Sequence, residues 1–146
     1  MLLSVRRLGA VLDASVLIQA VVREKYSDDV LSLVNVLDDI FASSLIFYEV
    51  GNALVLLMRR GLISREDALR KFEVVQSIPT LNVREPALTK AVELSIDLGV
   101  TLYDASYLEL ALESGVPLIT ADTELCRKGK DVARVIHASE VRRLYL

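Results

Sequence analysis

Short apolar segments alternate with amphipathic segments along the chain, and this alternation limits the fold more than any other feature. Runs typical of buried strands occur at LGAVLD, IFASS, TLNV, VPLITAD and ARVIHA. Between them, apolar residues recur every three or four positions, as in helices with one buried face. Strands that alternate with helices form a parallel sheet covered by helices. We therefore predict an α/β fold with a central parallel sheet of about five strands.

Polar residues, proline and glycine mark the expected ends of the helices. Ser27 and Ser64 precede periodic apolar segments and are expected N-caps, since a serine hydroxyl accepts a hydrogen bond from a free backbone N–H. Pro86 is expected in the first turn of the helix that follows TLNV. The helix after Ser64 should turn Ala68, Leu69, Phe72 and Val75 inward. Three glycines are expected helix ends: Gly61, Gly99 and Gly115.

Length and composition indicate a single compact domain spanning residues 1–146. The lone Cys126 cannot form an internal disulfide, and the N-terminus has no signal-peptide pattern, so we expect a cytoplasmic protein. Hydrophobic residues make up 53% of the chain, but Glu49 and Asn52 interrupt its longest apolar run, which argues against a membrane span. The apolar excess therefore predicts exposed patches that self-association or a partner would cover.

A net charge of −3 argues against a generally basic nucleic-acid binder. Basic residues cluster only locally, at the ends of expected helices. These clusters are Arg59 and Arg60; Arg127, Lys128 and Lys130; and Arg142 and Arg143. Any nucleic-acid path must therefore depend on a local site rather than on overall charge.

The tripeptide Asp-Ala-Ser occurs twice, beginning at Asp13 and at Asp104. It could mark a duplicated module, two helix caps or two halves of one site. The flanking sequences do not align, because the first copy follows a strand and the second follows a helix and a glycine, so duplication is disfavoured. Asp122 also follows an expected strand. If its strand neighbours the first one, Asp13 and Asp122 lie side by side at the edge where parallel α/β sheets bind ligands.

Glu49 lies in a largely apolar helix, where a charged carboxylate needs a partner. Asn52, on the same helical face, offers it a hydrogen bond. If Asp104 also points inward, the converging acids raise each other's pKa unless a cation binds. An all-oxygen donor set favours Mg²⁺ or Mn²⁺, since the single His137 and Cys126 do not make a typical zinc site. Mg²⁺ commonly takes phosphate oxygens as ligands, so the expected substrate is a phosphoester.

Four segments, VLDASVLIQ, SLIFYEVGNAL, LYDASYLELAL and LITADTEL, resemble the four motif regions of the PIN-domain ribonucleases in order and spacing. Within that family the chain is most similar to the VapC toxins of VapBC toxin-antitoxin pairs. The resemblance implies a three-layer α/β/α PIN-like domain. It also implies metal-dependent hydrolysis of RNA that leaves 5′-phosphate and 3′-hydroxyl ends, a homodimer, and a VapB-type antitoxin as partner.

The resemblance also assigns roles to individual residues. It implies catalytic and metal-binding roles, with Mg²⁺ or Mn²⁺, for Asp13, Glu49, Asp104 and Asp122. It implies supporting polar roles for Ser15, Asn52 and Thr120. Glu124 lies near the last motif, where an exposed acid in a first helical turn is the simpler interpretation.

Other functions remain open at this stage. A stand-alone RNA-processing PIN nuclease and a catalytically silent PIN-fold binding subunit share the same fold, although a silent binder has no need for four mutually repelling acids. A haloacid-dehalogenase-like phosphatase needs a second acid where this chain has Ser15. A response-regulator receiver needs an acidic pair and a lysine that are not in place.

Overall fold

The computed structural model describes residues 6–146, and in that range it contains one parallel five-stranded sheet and eight helices. The strands are β1 (Gly9–Leu12), β2 (Asp39–Ala42), β3 (Leu81–Val83), β4 (Leu118–Thr120) and β5 (Val135–His137). The helices are α1 (Ala14–Leu17), α2 (Ser27–Val36), α3 (Leu45–Arg59), α4 (Arg65–Gln76), α5 (Leu88–Leu98), α6 (Leu102–Ser114), α7 (Thr123–Gly129) and α8 (Val141–Tyr145). Short 3-10 turns follow α1 and precede α8.

Strand β1 lies at the centre of the sheet, whose order is β3-β2-β1-β4-β5. The chain builds β2 and β3 on one side of β1 and then crosses to place β4 and β5 on the other. Three consecutive residues of β1, Ala10, Val11 and Leu12, are fully buried. Because successive strand side chains point to opposite faces, this burial means that both faces of the sheet are covered. The predicted three-layer α/β/α arrangement is therefore confirmed.

Helix α6 packs against the three central strands β1, β2 and β4 and against α5. It is buried without interruption from Ala105 to Ala111. Thr101 caps its start by accepting a hydrogen bond from the backbone N–H of Asp104 at 3.1 Å, and Gly115, at φ 65°, ends it in the left-handed conformation. A helix that is buried nearly all round is a fixed part of the core.

Several local expectations are corrected. Ser27 is not an N-cap but the first residue of α2, and its buried hydroxyl donates to the carbonyl of Val22 at 3.0 Å. Pro86 precedes α5, which begins at Leu88. Leu69, expected on the inner face of α4, is half exposed. Ser64, in contrast, caps α4 as predicted, by accepting from the N–H of Asp67.

No helix in residues 6–146 combines the length and the apolar character that crossing a membrane requires.

Two helical glycines offer a matched test of this packing. A Cβ on Gly129 would lie 3.0 Å from Leu108 Cδ2 and 3.1 Å from Val135 Cγ2, whereas a Cβ on Gly51 would meet Phe72 at 3.4 Å, an ordinary contact. Alanine is favoured over glycine in helices by about 1 kcal/mol. We expect Gly51→Ala to raise the free energy of unfolding by up to that amount, and Gly129→Ala to lower it by about 1–3 kcal/mol through overpacking.

Urea unfolding followed by circular dichroism measures both changes. Equal stabilisation by the two substitutions would contradict the close packing of α7 against α6 and β5.

Candidate active site

The carboxylate of Asp13 is buried at the end of β1, with 5% of the residue exposed. Asp13 is the N-cap of α1, and its Oδ1 accepts a hydrogen bond from the backbone N–H of Val16 at 3.3 Å. Ser15 Oγ donates to the same oxygen at 2.5 Å, and Thr120 Oγ1 donates to Oδ2 at 2.5 Å. The Asp13 carboxylate is therefore both a helix cap and buried. It accepts hydrogen bonds from one backbone amide and two hydroxyl groups.

The register of the sheet brings these groups together. Leu12 of β1 pairs with Ile119 of β4, so the residues that follow, Asp13 and Thr120, are neighbours. Ser15 Oγ also accepts from the N–H of Ala121 at 2.9 Å. The ends of β1 and β4 are thus joined at the point where the strand order changes direction, which is where open α/β sheets bind their ligands.

Burial raises the pKa of Asp13 from 3.8 to about 6. The hydrogen bonds from Ser15, Thr120 and the N–H of Val16 oppose this shift, while the negative charge of Asp104 adds to it. Hydrogen bonds to a carboxylate favour its ionised form, but here burial outweighs them. A cation near Asp13 would therefore stabilise the ionised form of its carboxyl group.

Glu49 lies in the second turn of α3 and is half buried. The Tyr107 hydroxyl donates to its Oε1 at 2.7 Å. Burial raises the pKa of Glu49, the hydrogen bond from Tyr107 lowers it, and the charge of Asp104 raises it. The pKa of Tyr107 is itself raised by burial and by Glu49, so the phenol remains a protonated donor. Asn52, the partner expected from the sequence, is exposed, and Tyr107 supplies the hydrogen bond instead.

Asp104 lies in the first turn of α6, where Thr101 rather than Asp104 is the cap. Its pKa is raised by burial and then by the charge of Asp122. Asp122 is exposed and caps α7, with Oδ1 accepting from the N–H groups of Glu124 and Leu125 at 2.9 and 3.2 Å. Asp104 thus lies within electrostatic reach of Asp13, Glu49 and Asp122, which places the four acids in one region.

Two charged side chains near this region have other partners. Glu124 forms an exposed ion pair with Arg127 at 2.9 Å, and Arg127 lowers the pKa of Glu124. Lys128 Nζ donates to the carbonyl of Gly99 at 2.9 Å. Glu124 is therefore accounted for as a surface acid, as the simpler interpretation of the sequence held.

The acids fit an oxygen-ligated divalent cation in chemistry and in charge. Across residues 6–146, no three acidic, histidine or cysteine side chains already stand at the separations of a formed metal site. The available donors are nevertheless carboxylate oxygens, which Mg²⁺ and Mn²⁺ prefer. Burial first, and the like charge of a neighbouring acid second, raise the pKa values of Asp13, Glu49 and Asp104, and a bound cation would oppose both effects.

The role of Tyr107 was not predicted from the sequence. This tyrosine lies three residues after Asp104, in a helix whose neighbouring positions are apolar. A buried phenol needs a hydrogen-bond partner, and that requirement was the available signal. The sequence did not identify the partner, because Glu49 is 58 positions away.

The raised pKa of Asp13 makes stability depend on pH in a defined direction. A carboxyl whose pKa is higher in the folded state favours folding at low pH, and that contribution is lost as pH rises towards 6. Asp13→Asn removes this titration. The quantity of interest is the free energy of unfolding of the variant minus that of the wild type. We expect this difference to increase by about 2 kcal/mol as the pH rises from 4.5 to 7.5.

The measurement is urea unfolding of metal-free protein in EDTA across that pH range. Glu124→Gln is the matched control, because its carboxyl has a lowered pKa and its removal should produce no such increase. A difference between Asp13→Asn and the wild type that does not change with pH would contradict the burial of an ionisable Asp13.

The family model described as the PIN domain matches residues 10–131 of the chain. Ribonuclease VapC3 of Pyrobaculum aerophilum is 34% identical over 121 residues, which cover 81% of this chain and 92% of that protein. Exonuclease VapC9 of the same organism is 38% identical over 87 residues, which cover 59% of this chain and 64% of that protein.

A solved structure shares the whole architecture. The crystal structure of PAE2754 from Pyrobaculum aerophilum superposes with a TM-score of 0.73 at 28% identity, covering 95% of this chain and 98% of that one. The family match and the similarity to VapC3 agree with one another. The chain belongs to the PIN-domain family.

Proposed function

We propose that this protein is a divalent-metal-dependent endoribonuclease, acting in the cytoplasm as the VapC-type toxin of a type II toxin-antitoxin pair. The observation that carries the proposal is the buried Asp13 carboxylate, held by two hydroxyls where the strand order reverses and within the electrostatic reach of Asp104. The similarity to a protein named ribonuclease VapC3 supports RNA as the substrate.

In the proposed mechanism, the metal would be held by four carboxylates, those of Asp13, Glu49, Asp104 and Asp122. When bound, a divalent cation would activate water and neutralise charge on the phosphodiester, leaving 5′-phosphate and 3′-hydroxyl ends. Ser15 and Thr120 fix both oxygens of Asp13 by donating hydrogen bonds to them, and Tyr107 fixes Glu49 in the same way. Positioning of this kind, by groups behind the ligands, is commonly worth about 10- to 100-fold in metal affinity or activity.

A second activity has a specific observation in its favour, because the relative VapC9 is named an exonuclease. A stand-alone RNA-processing nuclease would use the same site. A covalently closed circular RNA separates the two modes of cleavage, since an endonuclease opens it and an exonuclease cannot.

We expect the purified protein to cut single-stranded and circular RNA with Mg²⁺ or Mn²⁺ and to stop in EDTA. Asp13→Asn and Asp104→Asn should each lower kcat by about 100-fold or more, because each removes a proposed metal ligand. Gel analysis of labelled RNA, with phosphatase treatment to identify the ends, measures both the rate and the products.

Asp97→Asn is the matched control, because Asp97 is an exposed acid on α5 outside the cluster. It should cleave at the rate of the wild type. Absence of cleavage by the metal-loaded wild type over a broad RNA pool would reject the nuclease function and favour a silent binding subunit.

A test in cells separates the toxin role from that of a stand-alone processing enzyme. Toxicity of the protein that is relieved by co-expression of a neighbouring gene product would support the toxin role.

Exposed apolar side chains suggest where the proposed homodimer and antitoxin bind. One set lies on α3, α4 and their connection: Val55, Leu56, Leu62, Leu69 and Val74. Because α3 also carries Glu49, an antitoxin seated on this set would lie beside the site. Another set is a stripe on α5, at four-residue spacing, formed by Leu88, Val92 and Ile96, of which Ile96 is 74% exposed. We assign the α5 stripe to the homodimer.

Light scattering after size exclusion should give the mass of a dimer for the wild type and of a monomer for Ile96→Glu, because a carboxylate would be buried at the contact. Leu69→Glu, on α4, is the matched control and should remain a dimer while losing the antitoxin. A monomeric wild type, or a dimer that survives Ile96→Glu, would contradict the assignment.

A further inference from the structure

A small cavity of about 170 Å³ lies next to the acidic site, at the same edge of the sheet. Three segments of the chain form its walls. Ser44 follows β2, Glu85 and Pro86 follow β3, and Leu102, Tyr103 and Ser106 belong to the start of α6. The carboxyl ends of β2 and β1 are adjacent, so the cavity lies one strand away from Asp13.

Helix α6 contributes residues both to the cavity and to the acidic region. Tyr103, in the wall of the cavity, precedes Asp104 in the chain. Ser106, also in the wall, precedes Tyr107, which holds Glu49. The Ser106 hydroxyl donates to the Tyr103 carbonyl at 2.6 Å, which fixes the wall to the first turn of the helix. None of the four acids lines the cavity, but the first two turns of α6 carry residues of both, so an extended strand bound at the acids can reach the cavity along this end of the helix.

The lining of the cavity disfavours a phosphate group and suits a flat apolar ring. No lysine or arginine of the described chain lines it, and its single charged residue, Glu85, would repel a phosphate. Tyr103 is 59% exposed and Leu102 is 40% exposed, although the middle of their helix, from Ala105 to Ala111, is buried. Exposed aromatic rings beside a nucleic-acid site provide stacking surfaces for unpaired bases.

Two polar groups at the cavity could read the edge of a base. Ser44 is the N-cap residue of α3, but its hydroxyl makes no capping hydrogen bond and so has capacity for a ligand. The Glu85 carboxylate accepts hydrogen bonds, and amino groups of bases donate them. The volume equals that of about five or six water molecules, well below the roughly 300–1,000 Å³ of sites for drug-sized ligands. The cavity therefore has room for one base.

We propose that this cavity binds one unpaired nucleobase of the RNA, next to the phosphodiester held at the acids, with Tyr103 as its stacking surface. The inference rests on the proposed nuclease function. It makes Tyr103 a specificity-determining residue that contacts a base and takes no part in the chemistry. Cleavage would then depend on the identity or presence of one base at a fixed distance from the cut.

The first experiment compares intact RNA with RNAs that lack a single base at each position flanking the cleaved bond. For the wild type, one abasic position should lower kcat/KM by roughly 5- to 100-fold, which is the usual effect of losing one stacked base. Tyr103→Ala should lower kcat/KM on intact RNA by a similar factor and have little effect on that abasic RNA. Tyr103→Phe keeps the ring and should stay within about twofold of the wild type.

The second experiment measures binding without cleavage, in the presence of Mg²⁺, with a single-stranded RNA in which an uncleavable, negatively charged analogue replaces each phosphodiester. This RNA carries 2-aminopurine at the sensitive position or, if no RNA is cut, at each position in turn. Stacking quenches the fluorescence of this base. The wild type and Tyr103→Phe should quench it, whereas Tyr103→Ala should not. Glu85→Gln removes the carboxylate beside the base and should change the preference among the four bases.

The outcomes separate the two proposals. Cleavage by the wild type that is equally sensitive to Tyr103→Ala on intact and abasic RNA, with no quenching, overturns the base site and leaves the nuclease standing. Quenching without cleavage overturns the nuclease and leaves the base site standing. A change of molecular mass on Tyr103→Ala, without either RNA effect, assigns the cavity to a protein contact and overturns the inference.

Discussion

The hydrogen bonds from Ser15 and Thr120 to the buried carboxylate of Asp13 set the position of everything else in the site. They connect β1 with β4 across the one place where the strand order reverses. The groups that compensate the buried charge of Asp13 are two hydroxyls and one backbone amide, and none of them carries a positive charge. The folded chain therefore keeps a concentrated negative charge at this edge of the sheet, which costs stability and which a bound cation would offset. This is the usual relation between a functional site and the stability of its fold.

The alternation of apolar and amphipathic segments was sufficient to predict the strands, the parallel sheet and the layers, because local periodicity reports which faces are buried. Helix starts were harder to predict. Ser27, Pro86 and Asp104 all have suitable chemistry for a helix N-terminus, yet Tyr26, Ala87 and Thr101 occupy the N-cap positions. Packing against the rest of the chain decides which residue begins a helix, and propensity contributes only part of that decision. The exposure of Leu69 has the same origin, since helical periodicity does not say how much of a face a neighbour covers.

The four acids could be predicted from the sequence because Asp13 and Asp122 follow strands, Glu49 interrupts an apolar helix, and Asp104 begins a largely apolar one. Only some of their hydrogen-bond partners could be predicted from the sequence. Ser15 is two residues from Asp13, but Thr120 is 107 residues away and reaches it only through the register of β1 with β4. Glu49 required a partner, and the nearby Asn52 was the obvious local choice. The structure supplies Tyr107 instead, because α6 and α3 meet over the sheet edge, and no local pattern encodes that meeting.

Helix α6 has a consequence beyond its packing. Its Asp104 lies near the other acids, its Tyr107 contacts Glu49 and its Tyr103 lines the cavity. Its buried Glu109 accepts a hydrogen bond from the N–H of Ala87 at 2.9 Å and so anchors the loop that precedes α5. A buried helix moves as one rigid body, so the separation between its residues is constant. In the proposed complex, the distance along an RNA strand from the base in the cavity to the phosphate at the acids would therefore be fixed by the rigid start of α6, and that helix would set where the strand is cut relative to the bound base.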